Sequence, residues 1–335
     1  MTAPSLNVST GAPHARIMGV GGYRPRRVVP NEELLKHIDS SDEWIRTRSG
    51  IATRHWAGPD ETVAEMSLAA AGKAIAHAGI APEQIGCVIV ATVTYLKQTP
   101  AVATEIAHRL GCGPVPAFDI SAACAGFGYG LGLADSMVRS GAAGHVLVIG
   151  VEKLSDLTDI EDRSTAFLFG DGAGAVVVGP SEVPGIGGLV WGSDGAQAGV
   201  ITQTAPWDVF REDPNHRFPA VTMEGRTVFR WAVWEGAKIA QQALDAAGVT
   251  VDQLDAFIPH QANMRIIDAM VKALKLPESV PVARDVEETG NTSAASIPLA
   301  MERMLARGEV KSGDTALIIG FGAGLVYAAA VVTLP

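Results

Sequence analysis

The sequence predicts an α/β protein built from two similar halves, each a mostly parallel sheet covered by helices. Two observations carry this reading. Short apolar runs rich in branched residues, "CVIVATV" (87–93), "VLVIGVE" (146–152) and "AVVVGP" (175–180), have the length and character of strands buried on both faces. The chain also repeats itself. Residues 73–90, "KAIAHAGIAPEQIGCVIV", lie over residues 242–259, "QALDAAGVTVDQLDAFIP", without a gap, and 143–150 lies over 313–320 at a nearly equal offset. Each copy reads as the end of an Ala-rich helix, a Gly stop, a short loop and a strand.

In chain order, residues 1–13 read as a flexible lead-in with no charged and apolar leader pattern, so no secretory signal is expected. Residues 14–184 form the first half. Residues 185–218, rich in Gly, Pro and Trp, read as an inserted loop segment, and 219–335 form the second half. The uncharged stretch Thr315–Pro335 has the length of a membrane span, but Gly320, Gly322 and Gly324 divide it. Two buried strands joined by a tight turn are expected there, and no membrane association. The net charge of −10 argues against a nucleic-acid binder, which needs Lys and Arg against phosphates. Three cysteines without a CxxC motif point to a reducing, cytoplasmic setting.

The stretch "FDISAACAGFGYGLGLADSM" (118–137) puts Cys124 where a strand becomes a helix. Unpaired N–H groups and the dipole at that helix end would stabilise a thiolate or a developing oxyanion. Glycines 126, 128, 130 and 132 each cost a helix up to ~1 kcal/mol. Their presence is expected to let the counterpart helix of the second half pack very close. Cys87 and Cys112 read as small buried hydrophobes. His260 follows a second-half strand in "LDAFIPHQANMRIIDAM", at the carboxyl edge where open α/β sheets bind ligands. The other histidines read as surface residues. Asn291 precedes a small-residue helix and on its own reads equally as a cap.

Together, "DISAACAGFGYGL", "PHQANMRII", "GNTSAAS" and "GFGAGL" resemble the β-ketoacyl-acyl carrier protein synthase III enzymes of the thiolase superfamily, in order and across essentially the whole chain. The resemblance implies the duplicated αβαβα thiolase fold, a Cys124–His260–Asn291 catalytic set, and condensation of an acyl-CoA with malonyl-acyl carrier protein. It implies no metal or prosthetic group, the CoA thioester being a substrate. It implies a CoA clamp of Trp44, Arg48 and Arg163, and an oxyanion N–H near Ala323. Gln261, Ala262, Asn263, Met264 and Arg265 correspond to the carrier-protein contact.

Family members are homodimers, and the strand before Cys124 is expected to be the joining edge. A phenylalanine that closes the acyl pocket of acetyl-selective relatives is replaced here by Thr99, implying room for four- or five-carbon and branched starters. A starter enzyme of a polyketide or other secondary-metabolite pathway keeps the same residues. Rival classes fit less well. The Gly-rich stretches do not satisfy GxGxxG after a strand, and a degradative thiolase would need a second cysteine near "GFGAGL".

Overall fold

The branched apolar runs of the first half become β1 (His14–Tyr23), β2 (Cys87–Ala91), β3 (Ala117–Ile120), β4 (Val146–Glu152) and β5 (Gly172–Ser181). They form one sheet in the order β1-β5-β4-β2-β3. The structure, a computed structural model, describes residues 6–213, 215 and 217–335. The second half gives β6 (Val190–Ser193), β7 (Ala256–Pro259), β8 (Thr315–Gly322) and β9 (Val326–Thr333), in the order β6-β9-β8-β7. Beyond β7 a single parallel bridge, Phe257 to Val282, stands where β3 stands in the first half.

The longer helices are α1 (Asp42–Ser49), α2 (Val63–Ala78), α3 (Val102–Leu110), α4 (Gly126–Ser140), α5 (Gly225–Ala247), α6 (Met264–Leu274) and α7 (Ser296–Ala306). The repeated Gly stops close α2 and α5 as expected, with Gly79 and Gly248 in the left-handed region at φ 67° and 68°.

Alternation along the strands builds five layers. Leu147 and Ile149 face the outer helices α2 and α3, whereas Val146 and Val148 face inward. Phe127 and Leu131 of α4 and Ile297 and Met301 of α7 fill the middle layer against Ile89 of the first sheet and Ile258 and Ile318 of the second. Leu317 and Ile319 face α5 and α6 on the far side. This is the αβαβα arrangement.

Four expectations change. The sheets are mixed rather than mostly parallel: β2 pairs parallel with β3 and β4, but β5 runs antiparallel to both β1 and β4. In the second half, the tight turn after Gly322 forces β8 and β9 into a hairpin, which is antiparallel by construction. That hairpin confirms the two-strand reading of Thr315–Pro335, and among the described residues no helix is long and apolar enough to cross a membrane.

The segment 185–218 is not all insertion. Val190–Ser193 is the edge strand β6, paired with β9, so the second sheet draws one strand from this segment. Gly185 N–H donates to Ala15 O of β1 (3.1 Å), and Gly187 N–H donates to Val331 O of β9 (2.6 Å), tying the two sheets together. The lead-in is partly anchored, too: Ala12 N–H donates to Val138 O (3.3 Å) at the end of α4.

The glycines of α4 serve the sheets more than the counterpart helix. A Cβ on Gly126 or Gly130 would lie 2.8 Å from Ala91 Cβ or 2.7 Å from Val148 Cγ1 of the first sheet. One on Gly128 would lie 2.6 Å from Ala328 Cβ of the second sheet, and one on Gly132 2.2 Å from Leu189 Cδ2 beside it. Two residues turn a helix by about 200°, so alternate glycines face opposite sheets.

Candidate active site

β3 delivers the chain to a tight turn. Ala123 takes φ 42°, Ala123–Ala125 make one 3-10 turn, and α4 follows. A non-glycine residue at positive φ is uncommon and clusters at functional sites. The facing strand β8 leaves space for the turn only because it carries glycines: a Cβ on Gly322 would lie 2.7 Å from Cys124 N, and one on Gly320 2.8 Å from Cys124 O. Cys124 is half-buried, while Cys87 and Cys112 are buried, as expected of inert thiols.

Burial pushes the Cys124 thiol up to about 12, with the Glu152 carboxylate adding to the rise. The Ser293 hydroxyl and the residue's own N–H act in the opposite direction. Burial thus opposes the thiolate that the helix end favours.

His260 follows β7 and is 2% exposed. Its N–H donates to Ile319 O (2.7 Å), its Nδ1 meets Ser296 Oγ at 2.7 Å, and its ring stands edge-on to Phe321. Burial lowers its pKa to about 3, so the imidazole is neutral at working pH. With Nδ1 engaged by Ser296, Nε2 is the nitrogen left for the cavity. Asn291 Oδ1 accepts from Ser293 N (2.8 Å) in an Asx turn, not as the cap of a helix, and that bond leaves its Nδ2 to serve the cavity.

Cys124, His260, Asn291 and Ala323 line one cavity of about 2080 Å³ with Trp44, Arg48 and Arg163. Trp44 sits on α1, whose N-cap Ser41 accepts from Trp44 N (3.1 Å). The Arg163 guanidinium lies 4.7 Å and that of Arg48 5.8 Å from the indole centroid, and Phe167 meets the ring edge-on. Thr99 lies on the exposed loop Leu96–Pro100 and does not line its own chain's cavity, although its neighbour Gln98 does.

The 261–265 segment divides. Gln261 is fully buried: its amide donates to Pro259 O (2.8 Å) and Ala283 O (3.2 Å) and accepts from Val286 N (3.1 Å). A surface contact by Gln261 is thus ruled out; it is the internal tie of the His260 loop. Asn263 caps α6 by accepting from Arg265 N (2.9 Å), and Arg265 is exposed above Phe229. Ala262 and Met264 are half-buried. His55 is not a surface residue either: it is half-buried and its Nδ1 meets Pro25 O, whereas His77 is exposed as expected. His216 lies outside the described residues.

Two residues escaped the sequence reading. Glu152 closes β4 fully buried, and Ser293 Oγ donates to its Oε1 (3.0 Å) beside the Cys124 turn. The one signal was a carboxylate ending an otherwise apolar strand.

Family profiles described as 3-oxoacyl-[acyl-carrier-protein] synthase III match residues 118–195 and, for its C-terminal part, 244–334. The β-ketoacyl-[acyl-carrier-protein] synthase III of Streptomyces glaucescens is 73% identical over 330 residues, covering 98% of this chain and 99% of the relative. The chain belongs to the β-ketoacyl-acyl carrier protein synthase III family. A synthase III of Streptomyces coelicolor is 69% identical over 98% of this chain and 99% of its own. Among solved structures, the priming β-ketosynthase from the R1128 polyketide biosynthetic pathway superposes with a TM-score of 0.97 at 51% identity, covering 99% of both chains. The synthase III of Aquifex aeolicus does so with a TM-score of 0.87 at 40% identity, over 95% of this chain and 99% of that one. As a synthase III family member, the chain is a condensing acyltransferase of the thiolase fold.

Proposed function

We propose that this chain condenses an acyl-CoA starter with malonyl-acyl carrier protein, losing CO2, to open fatty acid synthesis. The observation that carries this reading is the single cavity lined by Cys124, His260 and Asn291 and, toward solvent, by Trp44 and two exposed arginines. In the first half-reaction Cys124 sulfur attacks the thioester carbonyl; the carbonyl–sulfur bond to CoA breaks, and CoA leaves with the proton. The adenine would be held by Trp44, with Arg48 and Arg163 against the phosphates. In the second, malonyl-acyl carrier protein loses CO2. The enolate oxygen receives hydrogen bonds from His260 Nε2 and Asn291 Nδ2, which a neutral imidazole supplies without carrying charge. The enolate carbon attacks the acyl-Cys carbonyl, whose oxyanion is held by the N–H groups of Cys124 and Ala323. The 3-oxoacyl chain leaves on the carrier protein, sulfur departs as the thiolate, and a proton taken up from solvent restores the thiol.

The carrier protein, an acidic partner, would meet Arg265 and the α6 end rather than Gln261. A homodimer would form along β3, the open edge of the first sheet, with Val93 and Leu96 exposed beside it. The Leu96–Pro100 loop would then border the partner's acyl pocket, where Thr99 leaves space for branched or four- and five-carbon starters.

Intact-mass detection of the protein after incubation with a panel of acyl-CoAs tests the reading; absence of any acyl adduct would overturn it. Thr99→Phe should depress kcat/KM for isobutyryl- and butyryl-CoA while leaving acetyl-CoA little changed, since each buried methylene is worth about 0.8 kcal/mol. The likeness to a polyketide priming enzyme at 51% identity supports a second reading, in which the same chemistry starts a polyketide. Comparing turnover with carrier proteins of the two pathways decides between them.

A further inference from the structure

The proposed mechanism needs the Cys124 proton to go somewhere, and it assigns no role to a buried carboxylate beside that thiol. Glu152 is fully buried at the end of β4, and among the described residues it forms no ion pair. Its two oxygens are unequally engaged. Oε2 accepts from Thr94 Oγ1 (2.8 Å), Val93 N (3.1 Å) and Thr92 Oγ1 (3.2 Å), in the loop after β2. Oε1 accepts from Ser293 Oγ (3.0 Å). Three donors keep Oε2 anionic, so a proton arriving at the carboxylate belongs on Oε1. Ser293 sits at φ 47° with its N–H on Asn291 Oδ1 (2.8 Å); its turn packs against the Cys124 turn, both residues line the same cavity, and its hydroxyl acts on the thiol.

We propose that Glu152 is a positioning residue of the acylation half-reaction: through the Ser293 hydroxyl it accepts the Cys124 thiol proton as sulfur attacks the thioester. The thiol gives its proton to Ser293 Oγ, and Ser293 gives its own to Glu152 Oε1. The S–H electron pair forms the new carbon–sulfur bond, and the proton returns by the same path to the departing CoA sulfur. One negative charge moves within the buried site, and none is added to it.

The groups facing Glu152 are Thr92, Val93 and Thr94 from one side, Ser293 from the second, and Cys124 from the third. The neighbouring Lys153 turns away, toward Gly58 O and Asp156. Two bases therefore compete for the thiol proton, and burial tunes them in opposite directions: it raises Glu152 to about 7 and lowers His260 to about 3. The carboxylate is the better acceptor and the imidazole the better donor, so the two half-reactions draw on different residues.

The inference rests on Cys124 being the nucleophile, and its test needs no substrate. The rate of Cys124 alkylation by iodoacetamide is measured against pH for the wild type, Glu152→Gln and Ser293→Ala. The wild type should show a step near pH 7, where Glu152 loses its proton. In both variants that step should vanish, with alkylation at pH 7.5 falling about a hundredfold. The sign discriminates. Were Glu152 only a repelling charge, removing it would speed alkylation, and faster alkylation of Glu152→Gln overturns the proposal. So does a wild-type profile with no step near pH 7, a result that requires no variant to fold. If Glu152→Gln does not fold, Ser293→Ala, which leaves the three donors on Oε2, decides alone. A wild type that alkylates as described yet forms no acyl adduct would sink the proposed function and leave this proposal standing.

Discussion

The molecule builds the same turn twice and uses it differently. In the first half Ala123–Ala125 make a 3-10 turn, entered at φ 42°, that opens α4; in the second, Ser293–Ala295 make one, entered at φ 47°, that opens α7. Each turn is clasped by the other half's sheet. Gly320 of β8 lies against Cys124 O, and Gly150 of β4 against Ala294 O, and these two glycines are equivalent in the internal repeat. Cys124 thus stands where the second half has Ala294. The strained turn and its glycine cradle belong to the fold; the nucleophile is one residue's identity. The second turn, lacking a thiol, presents Asn291 and Ser293 instead.

The sharpest way to break this comparison is to make the turns alike. Cys124→Ala should abolish acyl-enzyme formation on intact-mass analysis while leaving the fold intact, because alanine already occupies the equivalent place. Cys87→Ala and Cys112→Ala should still acylate. An acyl adduct persisting in the Cys124 variant would refute the assignment. Next, His260→Ala or Asn291→Ala should acylate at an appreciable rate but lose about a hundredfold or more in CO2 release from malonyl-acyl carrier protein, the usual cost of one lost oxyanion donor. Normal CO2 release by both would remove the enolate role.

A matched pair sharpens the comparison further. The added Cβ of Gly320→Ala would lie 2.8 Å from Cys124 O, and that of Gly150→Ala 2.2 Å from Ala294 O, so each must displace one turn. Gly320→Ala should slow acylation by roughly ten- to a hundredfold and spare decarboxylation, whereas Gly150→Ala, whose turn holds both Asn291 and Ser293, should slow decarboxylation by a similar factor and acylation with it, as misplacement of about an ångström does. Equal effects of both on both steps would show that the turns do not act separately.

The smallest effect is in stability. Burial holds His260 near 3, below the usual 6.5, so between those values the unfolded chain binds the extra proton. Stability from this residue is present above about pH 6.5 and falls as pH drops, by at most about 1.4 kcal/mol per unit. Urea titrations at pH 7 and 5 should show a larger loss for the wild type than for His260→Ala.

The sequence carried the layers and the residues that line the candidate site because both depend on local pattern: strand composition, the Gly stops, and motifs within a few residues of Cys124, His260 and Asn291. It did not carry what depends on contacts between halves. Glu152 and Ser293 are 141 positions apart and meet only when the sheets stack. The direction of β5 is set by its connection rather than its composition. Gln261 reads as a polar surface residue until Ala283 O and Val286 N, from another segment, close around it. The α4 glycines announced close packing without saying against what.

Residues 185–187 carry one last consequence. Gly185 bonds a strand of the first sheet and Gly187 a strand of the second, while α4 is filled in from both sides. Neither half owns a complete interior, and the linker between them is sewn into both. A gene fragment encoding either one should yield an insoluble or unfolded chain, and the whole protein should melt in a single transition.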